Sequence, residues 1–196
     1  SYLQMAIDNP SRAAELAEKA AAQFDIAAKI QESPEVNANL ASIALWRGNP
    51  YKAYSLASKA LRGANNEVTR GVNGVKGASE IYMANYSAAV SSTSSATDTH
   101  INLFNKGLAQ LLNKDFGNAG SSFAESSRKN SNFALAYYGA AVAAARQGNG
   151  DAVVSNCWQE IDVMPGDFQG RKGQISQTKP HNRPVTSSLG NGVPML

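Results

Sequence analysis

The chain has 196 residues, 43% of them hydrophobic and 17% charged, with a net charge of +3, which suits one compact domain or one short array with a real buried core. No apolar run approaches the ~20 residues of a membrane-spanning helix, and the amino-terminal SYLQMAIDNP lacks the basic start and apolar stretch of a signal peptide. Residues 1–165 carry 14 cations and 14 anions, so the whole excess lies in Arg171, Lys172, Lys179 and Arg183 against Asp167; no phosphate-tracking face is expected, and nucleic acid is not an expected partner.

Asn9-Pro10 opens the first predicted helix, because Asn caps free amide groups and proline tolerates the first helical position. Ala13, Leu16, Ala17, Ala20, Phe24, Ala27 and Ile30 then recur at three- and four-residue spacing, which predicts one buried stripe. Ser33-Pro34 is expected to stop that helix. A second helix is expected over 35–47, ending at Gly48-Asn49-Pro50, and a third over 51–62.

That helix-turn-helix recurs. LWRGNPYKAYSLASKAL from Leu45, YMANYSAAVSS from Tyr82, LNKDFGNAGSSFAES from Leu112 and ARQGNGDAVVSNCWQEIDVMP from Ala145 each read as a turn followed by a helix. The turn-start residues Gly48, Ala84, Lys114 and Gly148 lie 36, 30 and 34 residues apart. Asn9-Pro10 stands 40 residues before Asn49-Pro50, so the first helix reads as the second half of an earlier unit. Ser91–Ser95 (SSTSS) with Thr97-Asp98 is expected to form a polar loop between the second and third pairs. Beyond Pro165 the composition turns to Gly, Pro, Ser, Gln and Lys, and 166–196 reads as a flexible basic tail or linker after a 1–165 array. The chain does not begin with Met and reads as a mature or excised piece of something longer.

The repeated unit resembles the tetratricopeptide repeat, whose period is ~34 residues. Leu40-Ala41 stands at its Leu-Gly, Ala44 at its Tyr, Ala53 at its small residue and Ala57 at its aromatic position. The second unit has Gly77 and Ala89 but Lys76 at the Leu and Glu80 at the Tyr; the third has Gly107, Ala119 and Phe123; the last has Tyr137, Ala141 and Pro165. The small residues Ala41, Gly77, Gly107 and Ala141 let the two helices of a pair approach closely. The resemblance implies an all-α solenoid of about four antiparallel helix pairs plus a leading helix, a right-handed superhelix whose concave wall is lined by the first helix of each pair.

A fold of this kind carries no chemistry by itself. Cys157 is the single cysteine, so no disulfide closes within the chain, and its apolar helix face makes it read as a small hydrophobe. His100 and His181 fall in no metal-ligand spacing, and no phosphate-binding glycine loop or G-x-S-x-G elbow occurs. No catalytic residue, metal or cofactor is expected, and the chain is not expected to be an enzyme.

By the register of the resemblance, the groove positions are Asn39, Ser42 and Trp46 in the first unit and Ala78 and Tyr82 in the second. Asn105, Leu108 and Leu112 follow in the third, then Tyr138, Val142 and Arg146 in the fourth. Amides, aromatics and one cation suit the grip of an extended peptide; buried packing between helices is the competing role for Trp46 and Tyr138. The resemblance therefore implies a non-catalytic interaction module that binds a protein or peptide partner through the groove and the array ends. Self-association, or a missing neighbouring domain of a longer chain, would cover the open apolar face of the leading half-repeat. The alternative is an enzyme accessory domain, or a repeat protein that holds a carbohydrate or small molecule on Trp46, Tyr82 and Tyr138. Low charge, abundant Ser, Asn, Ala and Gly and one Cys are similar to tetratricopeptide-repeat proteins of bacterial cell envelopes, which points to an extracytoplasmic address.

Overall fold

A computed structural model describes residues 10–163. After a 3-10 turn over Pro10–Arg12 come nine α-helices among the described residues: α1 (Ala13–Ile30), α2 (Pro34–Trp46), α3 (Pro50–Ala60), α4 (Asn66–Tyr82), α5 (Tyr86–Ser94), α6 (His100–Leu112), α7 (Phe116–Lys129), α8 (Ala134–Arg146) and α9 (Gly150–Val163). They form a leading helix and four pairs, α2/α3, α4/α5, α6/α7 and α8/α9, each helix packed on the next in the chain. The expected tail, Pro165 and His181 lie outside the described residues.

Side-chain caps start most of these helices. Ser33 Oγ accepts from Val36 N, Asn49 Oδ1 from Lys52 N, Asn65 Oδ1 from Val68 N and Thr99 Oγ1 from Asn102 N. Each satisfies an amide that the first turn leaves free. Ser33-Pro34 therefore does not simply end a helix. It caps and opens α2, Pro34 taking the first helical position, while α1 has already stopped at Ile30.

The four turns inside the pairs are copies of one another. Gly48, Ala84, Lys114 and Gly148 all adopt the left-handed conformation, with φ of 72°, 58°, 66° and 73°. In each turn the next residue's N–H bonds back to the first helix: Asn49 to Ala44 O, Asn85 to Glu80 O, Asp115 to Gln110 O and Asn149 to Ala144 O, at 2.8–3.0 Å. This six-residue closure ends a helix and reverses the chain in one step. All four turn-start residues read from the sequence occupy the left-handed position, the second unit included.

Small residues sit where paired helices cross. Ala41, Ala53, Ala57, Ala89 and Ala119 are fully buried. A Cβ on Gly77 would meet Thr93 Cγ2 at 2.5 Å, and one on Gly107 would meet Phe123 Cδ1 at 2.8 Å. The apolar core is divided along the array: Ala20, Ala21 and Ile43; then Ala41, Ala57, Ala60 and Val72; then Ala119, Phe123, Ala140 and Ala143. Division is what stacked units require, since each buries its stripe only against its neighbours.

Two further expectations need correction. Ile30 does not close the buried stripe of α1 but is 81% exposed; among the described helices α1 packs chiefly on α2. SSTSS is not a loop: Ser91–Ser94 end α5, and Ser92 and Thr93 are buried. Its hydroxyls bond back within the chain, Ser91 to Ser87 O, Thr93 to Ala89 O and Ser95 to Ser91 O, so polar side chains sit on a helix without seeking water. Glu80 stands where the resemblance wants bulk, and it is genuinely inside at 1% exposure. Its Oε1 lies 2.9 Å from Lys76 Nζ, while Oε2 has no hydrogen-bond partner.

Candidate functional site

The first helices of successive pairs touch one another, α2 against α4, α4 against α6 and α6 against α8. Equivalent positions on them therefore form rows that run along the array. Trp46, Tyr82, Leu112 and Arg146 make one such row. Each is the last residue of its helix, directly before the residues of the left-handed turn. The turn sends the second helix down the opposite side, which leaves this position substantially exposed. Trp46 is 53% exposed, Tyr82 56% and Leu112 41%, and Arg146 is exposed as well. Tyr138, on the same helix as Arg146, is 52% exposed. Trp46 and Tyr138 are thus surface residues, not helix-packing core.

The remaining candidates divide. Ser42 is exposed, and its hydroxyl donates to Ala38 O; Asn39 is half-buried, and its Nδ2 donates to Glu35 O. Asn105, Ala78 and Val142 are half-buried. Leu108 faces inward in part, packing with Phe104 and Leu111 against the cluster around Phe123. Sequence reasoning missed Ile101 and Leu135, 53% and 45% exposed at the second residue of α6 and α8. They are large apolar residues at equivalent positions in the first turns of α6 and α8, a signal present in the sequence.

The wall is not charge-balanced. Glu35 and Glu67 lie in the first turns of α2 and α4, far from the Trp46 row, and Glu80 is buried against Lys76. Neither α6 nor α8 contains a carboxylate; they carry Lys106 and Arg146, and neither of these enters an ion pair among the described residues.

Elsewhere, two open clefts mark the surface. One of about 280 Å3 is lined by Glu32, Ser33, Pro34, Asn37, Lys59 and Arg62. The other, about 340 Å3, lies between α7, α8 and α9, where Gly117, Gly120, Ala140 and Ala144 leave room. The first holds one carboxylate already engaged by Lys59 and Asn37, and the second holds none. Burial pushes the Cys157 thiol up, helped by the nearby Glu160 charge, which works against a reactive thiolate. Among the described residues no group of three or more His, Cys, Asp or Glu gathers to hold a metal ion, and no helix is long and apolar enough to cross a membrane.

No protein-family model matches the sequence. No curated protein matches it significantly. Solved structures do resemble it. A crystal structure of MamA superposes with a TM-score of 0.66 at 15% identity, covering 85% of this chain and 96% of that one. MamA from Desulfovibrio magneticus RS-1, from residue 41 to its end, gives 0.66 at 12% identity over 91% and 96%. YrrB, described as a TPR protein with an unusual peptide-binding site, gives 0.65 at 19% identity over 89% and 90%. At these identities the likeness establishes the fold alone: the described residues form four helix pairs and a leading helix arranged as in tetratricopeptide-repeat solenoids.

Proposed function

We propose that the chain is a non-catalytic interaction module that binds a peptide segment of a partner protein along the wall of its first helices. The observation that carries this reading is the row of Trp46, Tyr82 and Leu112, three large, mainly apolar side chains about half exposed at equivalent positions, with Tyr138 exposed further up α8. Apolar and aromatic side chains left in water at repeated positions cost solvation free energy that a partner recovers by covering them. Aromatic side chains and Arg are also the groups most often responsible for the bulk of binding energy. YrrB shares the fold and carries a peptide-binding site, which supports this use of the solenoid. Asn39, Ser42 and Asn105 would contribute polar contacts beside the row. The outer side of α1, with Ile26 51% and Ile30 81% exposed, offers a second surface at the array end.

The reading is tested by affinity capture from cells of the source organism with the intact chain and with a Trp46→Ala/Tyr138→Ala variant. Titration of the purified captured partner against both then measures the effect. A partner bound by the first and at least tenfold more weakly by the second supports it; equal binding by both removes the wall from the proposal. Both side chains are half exposed, so the variant is expected to keep its fold, which circular dichroism checks.

A further inference from the structure

Resting on that reading of the wall, we infer that its ligand is an extended segment of a defined pattern: bulky apolar residues about three positions apart, followed at the same interval by one carboxylate. The row itself dictates the order. Going from α2 to α8 it reads Trp46, Tyr82, Leu112, Arg146, three apolar groups and then a cation. Contacting helices lie about 8–10 Å apart, and an extended chain advances about 3.3 Å per residue. One helix step therefore matches about three residues of ligand, and the whole row about nine.

Charge complementarity selects the last position. Arg146 is exposed and without an ion pair among the described residues, and no carboxylate stands on α6 or α8 to neutralise it. Lys114, exposed in the turn two residues beyond Leu112, is likewise without an ion pair there. The carboxylates next along the chain lie past the turns, on or beside the second helices. Asp115 is occupied in capping α7 through Asn118, and Asp151 stands in the first turn of α9. A guanidinium in this setting can accept a carboxylate with two parallel N–H donors. At the other end, Arg47 beside Trp46 is already paired with Glu18 and is not free to play the same part. The carboxylate is thus expected at one end of the ligand only.

The test is selection of a phage-displayed random 12-residue peptide library on the intact chain, on Trp46→Ala and on Arg146→Glu, with Arg146→Lys as a charge-conserving control. Peptides enriched by the intact chain should carry two or three bulky apolar residues at about three-residue spacing and an Asp, Glu or terminal carboxylate at one end. Against Arg146→Glu the apolar pattern should persist while the end position changes to Lys or Arg. A synthetic consensus peptide should lose about tenfold in affinity for Arg146→Glu and much less for Arg146→Lys, and raised salt should narrow the gap. Apolar enrichment that depends on Trp46 but shows no carboxylate, or a carboxylate indifferent to Arg146→Glu, overturns this inference and leaves the wall as the binding surface. Enrichment indifferent to both substitutions, or none at all, overturns the inference and the wall reading together.

Discussion

Gly139 of α8 lies flat against the ring of Phe123 in α7: a Cβ at this glycine would stand 2.6 Å from Cε1, 2.7 Å from Cδ1 and 2.8 Å from Cζ. The other partner of the same ring is Gly107 of α6, at 2.8 Å to Cδ1. Phe123 is 1% exposed and tilts against Phe104 at 5.4 Å. One aromatic ring thus joins two helix pairs, held where two first helices expose bare backbone.

Alanine at either glycine must push that ring into a filled core. Gly139→Ala and Gly107→Ala are each expected to lower stability by about 1–3 kcal/mol, and Gly107→Leu by at least that much. Because both press on one ring, the double substitution should not be additive. Gly71 and Gly117 lie in helices with nothing within 4 Å of an added Cβ, and alanine there should stabilise by about 0.4–1 kcal/mol. Denaturant midpoints of the four single alanine variants check both signs.

The left-handed turns offer a second test. Ala84 and Lys114 adopt φ of 58° and 66° with a Cβ in place, whereas their counterparts Gly48 and Gly148 have none. Glycine at Ala84 or Lys114 should raise stability by about 0.5–1 kcal/mol, the left-handed strain relieved less the added chain entropy. Alanine at Gly48 should act in the opposite sense. Thermal melts of these single variants measure the difference.

Glu80 makes a sharper prediction. Its Oε1 is held by Lys76, which also donates to Ser92 Oγ at 3.2 Å and lies 5.5 Å from the centre of the Tyr54 ring. Lys76→Met alone should cost about 3 kcal/mol, since it leaves a buried carboxylate without its counter-charge. Adding Glu80→Leu should recover most of that loss. A double variant no more stable than the single one would show that the pair is not coupled.

Acid should act on the two ends of the array in opposite directions. Hydrogen bonds from Arg12 and Lys19 hold the Glu15 carboxyl at about 2, and Glu18 is lowered by Arg47 and Glu32 by Asn37 and Lys59. These depressed values mean that the Glu15 and Glu18 pairs support α1, and the Glu32 pairs tie the following link to α2 and α3, fully above the ordinary carboxylate range; the support is lost as pH falls below that range, toward about 2 for Glu15. Burial raises Glu160, so α9 packs best with this group neutral, and its contribution is lost as pH rises through the folded value. Hydrogen exchange at pH 3 and pH 7, corrected for intrinsic rates, should show α1 less protected in acid and α9 not. Added salt at neutral pH should loosen α1 as well, because its ion pairs are surface ones.

Much of this architecture is legible in the chain because repeats write the same local instruction several times. A left-handed residue before Asn or Asp, a small residue at each crossing and a capping side chain at most starts act within a few residues of themselves. Gly48, Ala84, Lys114 and Gly148 could therefore be aligned without coordinates. The exposed row followed from the same register, since a position fixed relative to a turn keeps its exposure from unit to unit.

What the register could not supply is the environment built by contacts distant in the chain. Glu80 reads only as a charge at a position that wants bulk, and Ser91–Ser95 as a loop, until the first is found buried beside Lys76 and carbonyls of the preceding turn accept hydroxyls of the second. The contact of Gly139 with Phe123 has no signal in the register, and Ile30 reads as core yet is 81% exposed. The sequence by itself determined the helices, the turns and their repetition, because these depend on backbone conformation and short-range spacing. Only the tertiary structure decided which polar groups are buried and which apolar ones remain uncovered, because burial depends on what packs from elsewhere in the chain.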